Sequence, residues 1–214
     1  MLEVKPRLRG WLHTYAALTS VVTGVVLVAV TADLRGGRAG TATAVYAVTV
    51  TMLFGTSALY HRLGWGPRAR AIMKRLDHSM IFVFIAGTYT PVAALTLPRG
   101  PAVAVLAVVW TGALAGVGLK TAWPTAPRWL GVPCYIALGW VAVFVFPQLL
   151  QHAGVAALVL LAAGGVAYTV GALCYALRRP DPWPGAFGFH EVFHLCTLLG
   201  AACHYVAIWL AVLR

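Results

Sequence analysis

The segment Phe187-Gly-Phe-His190-Glu191-Val-Phe-His194 opens the last apolar stretch of the chain. Two histidines four residues apart share one helix face, with β-carbons about 5–6 Å apart, a spacing that suits one metal ion. An ionisable residue at the mouth of a membrane helix is costly and points to function. The chain has only five acidic residues. Glu3, Asp33 and Asp181 fall in the tail or in connectors, so Asp77 and Glu191 alone stand at the boundaries of apolar segments. His61 ends the second such segment, one turn after Ser57, and Asp77-His78 opens the third.

This residue set suits zinc held by the neutral imidazoles of His61, His190 and His194, with a fourth position open to water. Water held this way becomes acidic enough to supply hydroxide near neutral pH. Three neutral ligands leave two positive charges uncompensated in a poorly polar place, so a nearby carboxylate is expected. Asp77 is the candidate, and it would also accept the water's proton. Ser57 shares a helical face with His61 and could bond the water or a substrate oxygen.

His190 to His194 also matches HExxH, the metalloprotease pattern in which the glutamate is the general base. The extended form fails, because Thr197 and Gly200 occupy its later key positions. Glu191 is therefore expected to support the loop or a ligand rather than act as the base.

The elements that must position these residues are membrane spans. Of 214 residues 61% are hydrophobic and 10% charged, against about 25% charged in a soluble domain. Crossing a bilayer takes about 20 apolar residues, and seven runs qualify: 14–32, 41–61, 77–97, 101–119, 129–149, 154–176 and 188–212. The chain is expected to be all-α, one domain over 1–214, folded as a seven-helix transmembrane bundle. No cleavage site follows the basic start, Met1 to Arg9, so the first run reads as a retained span.

Basic residues orient the bundle. With the N-terminus in the cytoplasm, twelve of the sixteen Lys and Arg lie inside and four, Arg35, Arg38, Arg99 and Arg214, outside. The N-terminus is expected in the cytoplasm and the C-terminus outside. Ser57, His61, Asp77, His190 and His194 then share the cytoplasmic depth, although none of them entered the count. The net charge of +11 is assigned to loops that meet anionic lipid head groups of the cell membrane, not to nucleic acid.

Other polar residues read more weakly. His13 lies at the inner end of span one and could support the site. His78 should point about 100° away from Asp77. His152 falls in an outer loop. His204 is about 15 Å along the axis from His194, too far to share its metal. Cys134, Cys174, Cys196 and Cys203 lie in apolar runs and read as packing residues. Pro91, Pro133 and Pro147 could kink helices, and Gly112 and Gly116 form a GxxxG pair suited to close packing.

The stretch from Lys5 through Gly10-Trp11 to His13 resembles the start of the bacterial hemolysin III-like proteins. So do Ser57-Ala-Leu-Tyr-His61, Asp77-His78, Ala86-Gly-Thr-Tyr-Thr-Pro91, Gly139-Trp140 and the run from Gly164 to His194. That family is similar to the progestin and adipoQ receptors, which include adiponectin receptors, and to the alkaline ceramidases among membrane metal-dependent hydrolases. The resemblance implies a seven-helix bundle with a cytoplasm-proximal zinc on His61, His190 and His194, with Ser57 and Asp77 beside it. It also implies hydrolysis of a lipid-borne amide or ester linked to membrane lipid homeostasis. A membrane-state sensor with structural zinc, and a pore-forming cytolysin, are the competing expectations.

Overall fold

The apolar runs of this sequence can satisfy their backbone groups inside a bilayer only as helices. The structure, a computed structural model, describes residues 6–123 and 125–214. Lys5, one of the residues carrying the resemblance, lies outside them. The described residues form α1 (Trp11–Arg35), α2 (Gly37–Arg62), α3 (Pro67–Thr96), α4 (Arg99–Ala122), α5 (Arg128–Gly139), a 3₁₀ segment (Trp140–Val145), α6 (Phe146–Leu177) and α7 (Phe189–Leu213). Large apolar side chains such as Leu18, Val22, Val25 and Leu114 face outward, as lipid contact requires. The chain is a multi-pass membrane protein.

Among the described residues, six helical stretches are long and apolar enough to cross a bilayer, where seven separate runs were expected. The expected fifth and sixth spans belong to one 50-residue helical stretch, Arg128–Leu177. The expected connector 150–153 is helical, and the break is the single residue Gly154, at φ 84°, ψ 170°. That left-handed backbone favours glycine, which lacks the Cβ that would clash. The stretch folds back there. Arg128 donates from Nη1 to the Tyr175 carbonyl at 2.8 Å, and Trp140 Nε1 donates to Thr169 Oγ1 at 2.9 Å. Its two halves are therefore antiparallel. A composition-based boundary fails here because a one-residue turn needs no polar run.

Within the first half, Pro147 cannot donate its backbone nitrogen, and its ring crowds the carbonyl four residues back, at Val143. The backbone narrows to 3₁₀ over Trp140–Val145. Tyr89 of α3 repairs the break: its hydroxyl donates to the Gly139 carbonyl at 2.7 Å and accepts the Ala142 N–H at 2.8 Å. Freed backbone groups inside a membrane need such a partner.

Helices α1 to α4 run alternately up and down, joined by short turns. The expected connector 33–40 shrinks to Gly36, and 62–75 to Leu63–Gly66. Helix α3 begins ten residues before its apolar run, at Pro67 in the first turn after Gly66, where a missing N–H costs nothing. Arg68, Arg70 and Lys74 continue the helix beyond the apolar zone. Asp77 therefore sits well inside α3 and is not its cap. Gly112 and Gly116 do serve close packing, against Leu138 and Phe82.

Helices α1 and α7 run parallel. Arg9 pairs with Glu191 at one end, and Arg35 Nε donates to the Val212 carbonyl at 2.8 Å at the other. Arg9 and Arg214 consequently lie at opposite ends of the helices, and the start of α1, the end of α2, an inner turn of α3 and the start of α7 meet at the histidines.

Candidate metal centre

His61 sits in the last turn of α2 and His190 and His194 one turn apart at the start of α7. Their ligand-capable atoms lie within 4.8 Å of one another, a set able to hold a metal ion. His61 is 7% and His194 2% exposed. The Nε2 atoms of His61 and His190 are 3.2 Å apart. Two imidazole nitrogens that close need a proton or a cation between them. Zn–N bonds of 2.0–2.1 Å at tetrahedral angles place nitrogens about 3.4 Å apart, so the pair fits such an ion.

Asp77 Oδ2 is 3.9 Å from His61 Nε2. Ser57 is buried one turn before His61. Asp77, Ser57, His190 and His194 line the same cavity, so α2, α3 and α7 deliver to one place the set expected from spacing and orientation.

A fourth helix contributes as well. His13 of α1 is 3% exposed, stacks on His194 with centroids 3.7 Å apart, and bonds Ser57 Oγ through Nδ1 at 2.8 Å. Its Nε2 is buried without a partner among the described residues. Sequence ranked His13 low because only the parallel packing of α1 on α7 brings it beside His194. His78, turned about 100° from Asp77 as expected, bonds the Lys74 carbonyl through Nδ1 at 2.8 Å, yet also lines the same cavity. A 100° rotation per residue still leaves two adjacent side chains on the inward half of a helix enclosed on several sides.

Glu191 faces away from this chemistry. Its Oε2 accepts the Gly188 N–H at 2.8 Å, capping the start of α7 from the third helical residue, and its Oε1 meets Arg9 Nε. Buried to 1% exposure, it fixes the helix on which His190 and His194 ride. Asp181, read from sequence as a plain loop residue, also caps α7 by accepting the Phe189 N–H at 3.2 Å. The N-terminal strap completes the frame: Arg7 and Leu8 donate to the carbonyls of Gly185 and Ala186, each at 3.2 Å. Glu191→Ala removes a cap, about 1 kcal/mol, and strands a mostly covered arginine. A total loss of about 3 kcal/mol is expected from these terms, with any metal content unchanged. Thermal denaturation with elemental analysis checks this; loss of metal at unchanged stability would place Glu191 among the ligands instead.

The remaining polar residues stay outside the centre. His204 Nε2 donates to the Leu161 carbonyl at 3.1 Å, deep in the bundle. His152 lies within helix α6 rather than in a loop, exposed, with Nδ1 2.9 Å from the Gln148 carbonyl. The four cysteines are free.

A family model described as Haemolysin-III related matches residues 2–205. The protein named Hemolysin-3 of Bacillus cereus is 31% identical over 207 residues, covering 94% of this chain and 89% of that protein. The Hemolysin-3 homolog of Bacillus subtilis (strain 168) is 26% identical over 196 residues, with coverages of 92% and 89%. The heptahelical transmembrane protein ADIPOR2 of Oryza sativa subsp. japonica is 33% identical over 156 residues, with coverages of 66% and 68%.

Proposed function

Because this chain belongs to the haemolysin-III related family, we propose that it is a zinc-dependent membrane hydrolase that cleaves an amide or ester bond of a lipid. The reading is carried by one observation: the histidine cluster stands at one end of a long apolar cavity. Along α3 the cavity wall runs from Asp77 to Leu97, about 30 Å at 1.5 Å per residue. That is about twice the depth of one leaflet. Ile81, Phe84, Ile85, Val92 and Leu149 give it an apolar wall. An acyl chain lying there places its carbonyl carbon at the histidine end.

His61, His190 and His194 would hold the ion, and the proposed zinc would supply a Lewis acid that polarises a carbonyl and acidifies water. Asp77 then takes the proton of the attacking water on a carboxylate oxygen and returns it to the leaving amine or alkoxide. The Ser57 hydroxyl, aimed by its bond to His13 Nδ1, donates to the oxygen where negative charge develops. His13 and His194, stacked, close the floor of the site against bulk water. Burial excludes competing solvent and strengthens each of these polar contacts.

Incubating purified protein with palmitoyl ceramide and with a palmitoyl lysophospholipid, and measuring released palmitate by mass spectrometry, tests the proposal. Release abolished by chelator and restored by zinc is the expected result. Stoichiometric zinc without release from either class would favour a sensor in which the ion only ties α2 to α7. A pore is the less supported reading, since the cavity wall is largely apolar and an aqueous path needs polar lining.

A further inference from the structure

Helix α1 is opened by a glycine whose surroundings leave little room for a side chain. A helix commonly begins on Ser, Thr, Asp or Asn. Gly10 instead caps α1 with no side chain, in the left-handed region at φ 85°, ψ −10°, where an L side chain is disfavoured. It is also buried against the end of α2. A Cβ on Gly10 would come 2.8 Å from the Cβ of His61 and 3.2 Å from the Cγ of Arg62, against about 3.5–4.0 Å for carbon atoms in contact. The backbone of Gly10 thus abuts the root of a candidate metal ligand. That backbone is pinned on both sides. Its carbonyl accepts the Thr14 N–H and the Thr14 hydroxyl, each at 3.0 Å. Just before it, Arg7 and Leu8 donate to the carbonyls of Gly185 and Ala186, and Arg9 pairs with Glu191. His61, by contrast, lies in the last turn of α2, where a helix has fewest backbone bonds to hold it.

We infer that Gly10 is a positioning residue for the metal centre: its bare backbone sets how far His61 stands from His190 and His194. The strap touches both sides of the site, α2 through Gly10 and α7 through Arg9, so it fixes the gap across which an ion would be shared. A methyl group on residue 10 would push the last turn of α2 away by about 1 Å, from 2.8 Å to ordinary contact. Metal–nitrogen distances are held to about 0.2 Å, so turning the His61 ring recovers only part of that shift. The inference rests on the metal half of the proposed function, an ion on His61, His190 and His194, and not on hydrolysis.

Metal-free full-length protein in detergent tests it, titrated with cobalt(II) under visible absorption and then competed with zinc. Gly10→Ala should weaken zinc binding by about 10–100-fold, the scale of a disturbed outer partner of a ligand. It should also alter the cobalt bands, which report ligand geometry. Gly10→Asn carries the same Cβ but tolerates the left-handed backbone, so it should weaken zinc as much while losing less thermal stability. Gly36→Ala is the control. Gly36 also has a positive φ, 82°, but a Cβ there meets nothing within 4 Å. That variant should lose stability and keep the zinc affinity and cobalt spectrum of wild type. Wild-type affinity and spectrum in both Gly10 variants would overturn the inference and leave the metal centre standing, as would an equal loss of affinity in Gly36→Ala. Wild type that binds neither ion would remove the metal centre, and this role of Gly10 with it.

Discussion

Replacing His190 and His194 together with alanine is expected to reduce bound zinc from about one ion per chain to none, as a three-histidine site would require. Elemental analysis of detergent-purified protein measures it. The two residues would supply two of the three proposed ligands from one rigid helical turn, and His61 alone could not hold the ion. Even outer partners of a metal ligand change affinity by about 10–100-fold, so removing two ligands should leave no measurable occupancy. Because an ion on this site would bind the folded state, its loss should also lower thermal stability by mass action. Chelator should therefore lower the midpoint of wild type and leave the double variant unmoved. Wild type that carries no transition metal, purified without chelators, would remove both the zinc and the hydrolase reading. Retained zinc in the double variant would move the site elsewhere.

Asp77→Asn is expected to leave metal content and stability near wild type while lipid hydrolysis falls by about 10²–10⁴-fold, the usual contribution of a positioned acid–base group. The substitution keeps shape and hydrogen-bonding capacity but cannot take up a proton. Its position, 3.9 Å from His61 Nε2 and on the wall of the cavity, suits a base for water beside the histidines rather than a ligand. Palmitate release and elemental analysis on one preparation separate the two roles. Lost metal with lost turnover would make Asp77 a ligand or counter-charge to the ion, and full turnover would end its role as base. In a sensor with structural zinc, the variant would be silent in any lipid assay.

Much of this was legible in the chain itself, because membrane physics leaves few choices. Apolar runs must become helices, and basic residues bias which ends share a side. Five acidic residues, only two of them at span boundaries, make Asp77 and Glu191 conspicuous. Those constraints bring His61, His190, His194, Ser57 and Asp77 toward one depth, and the family model matches nearly the whole chain.

Depth, however, is not azimuth. Sequence periodicity says which residues share a face of one helix but not which neighbour that face meets. The packing of α1 alongside α7 alone decides that His13 stacks on His194, and the meeting of Arg9 with Glu191 decides that this glutamate is a structural anchor despite its place in HExxH. Gly154 hides the turn inside the Arg128–Leu177 stretch, since a single left-handed residue leaves no compositional trace. Hydropathy is a local property and fixes how deep a residue sits; side-chain contact is pairwise between distant segments, so it exists only once the helices have packed.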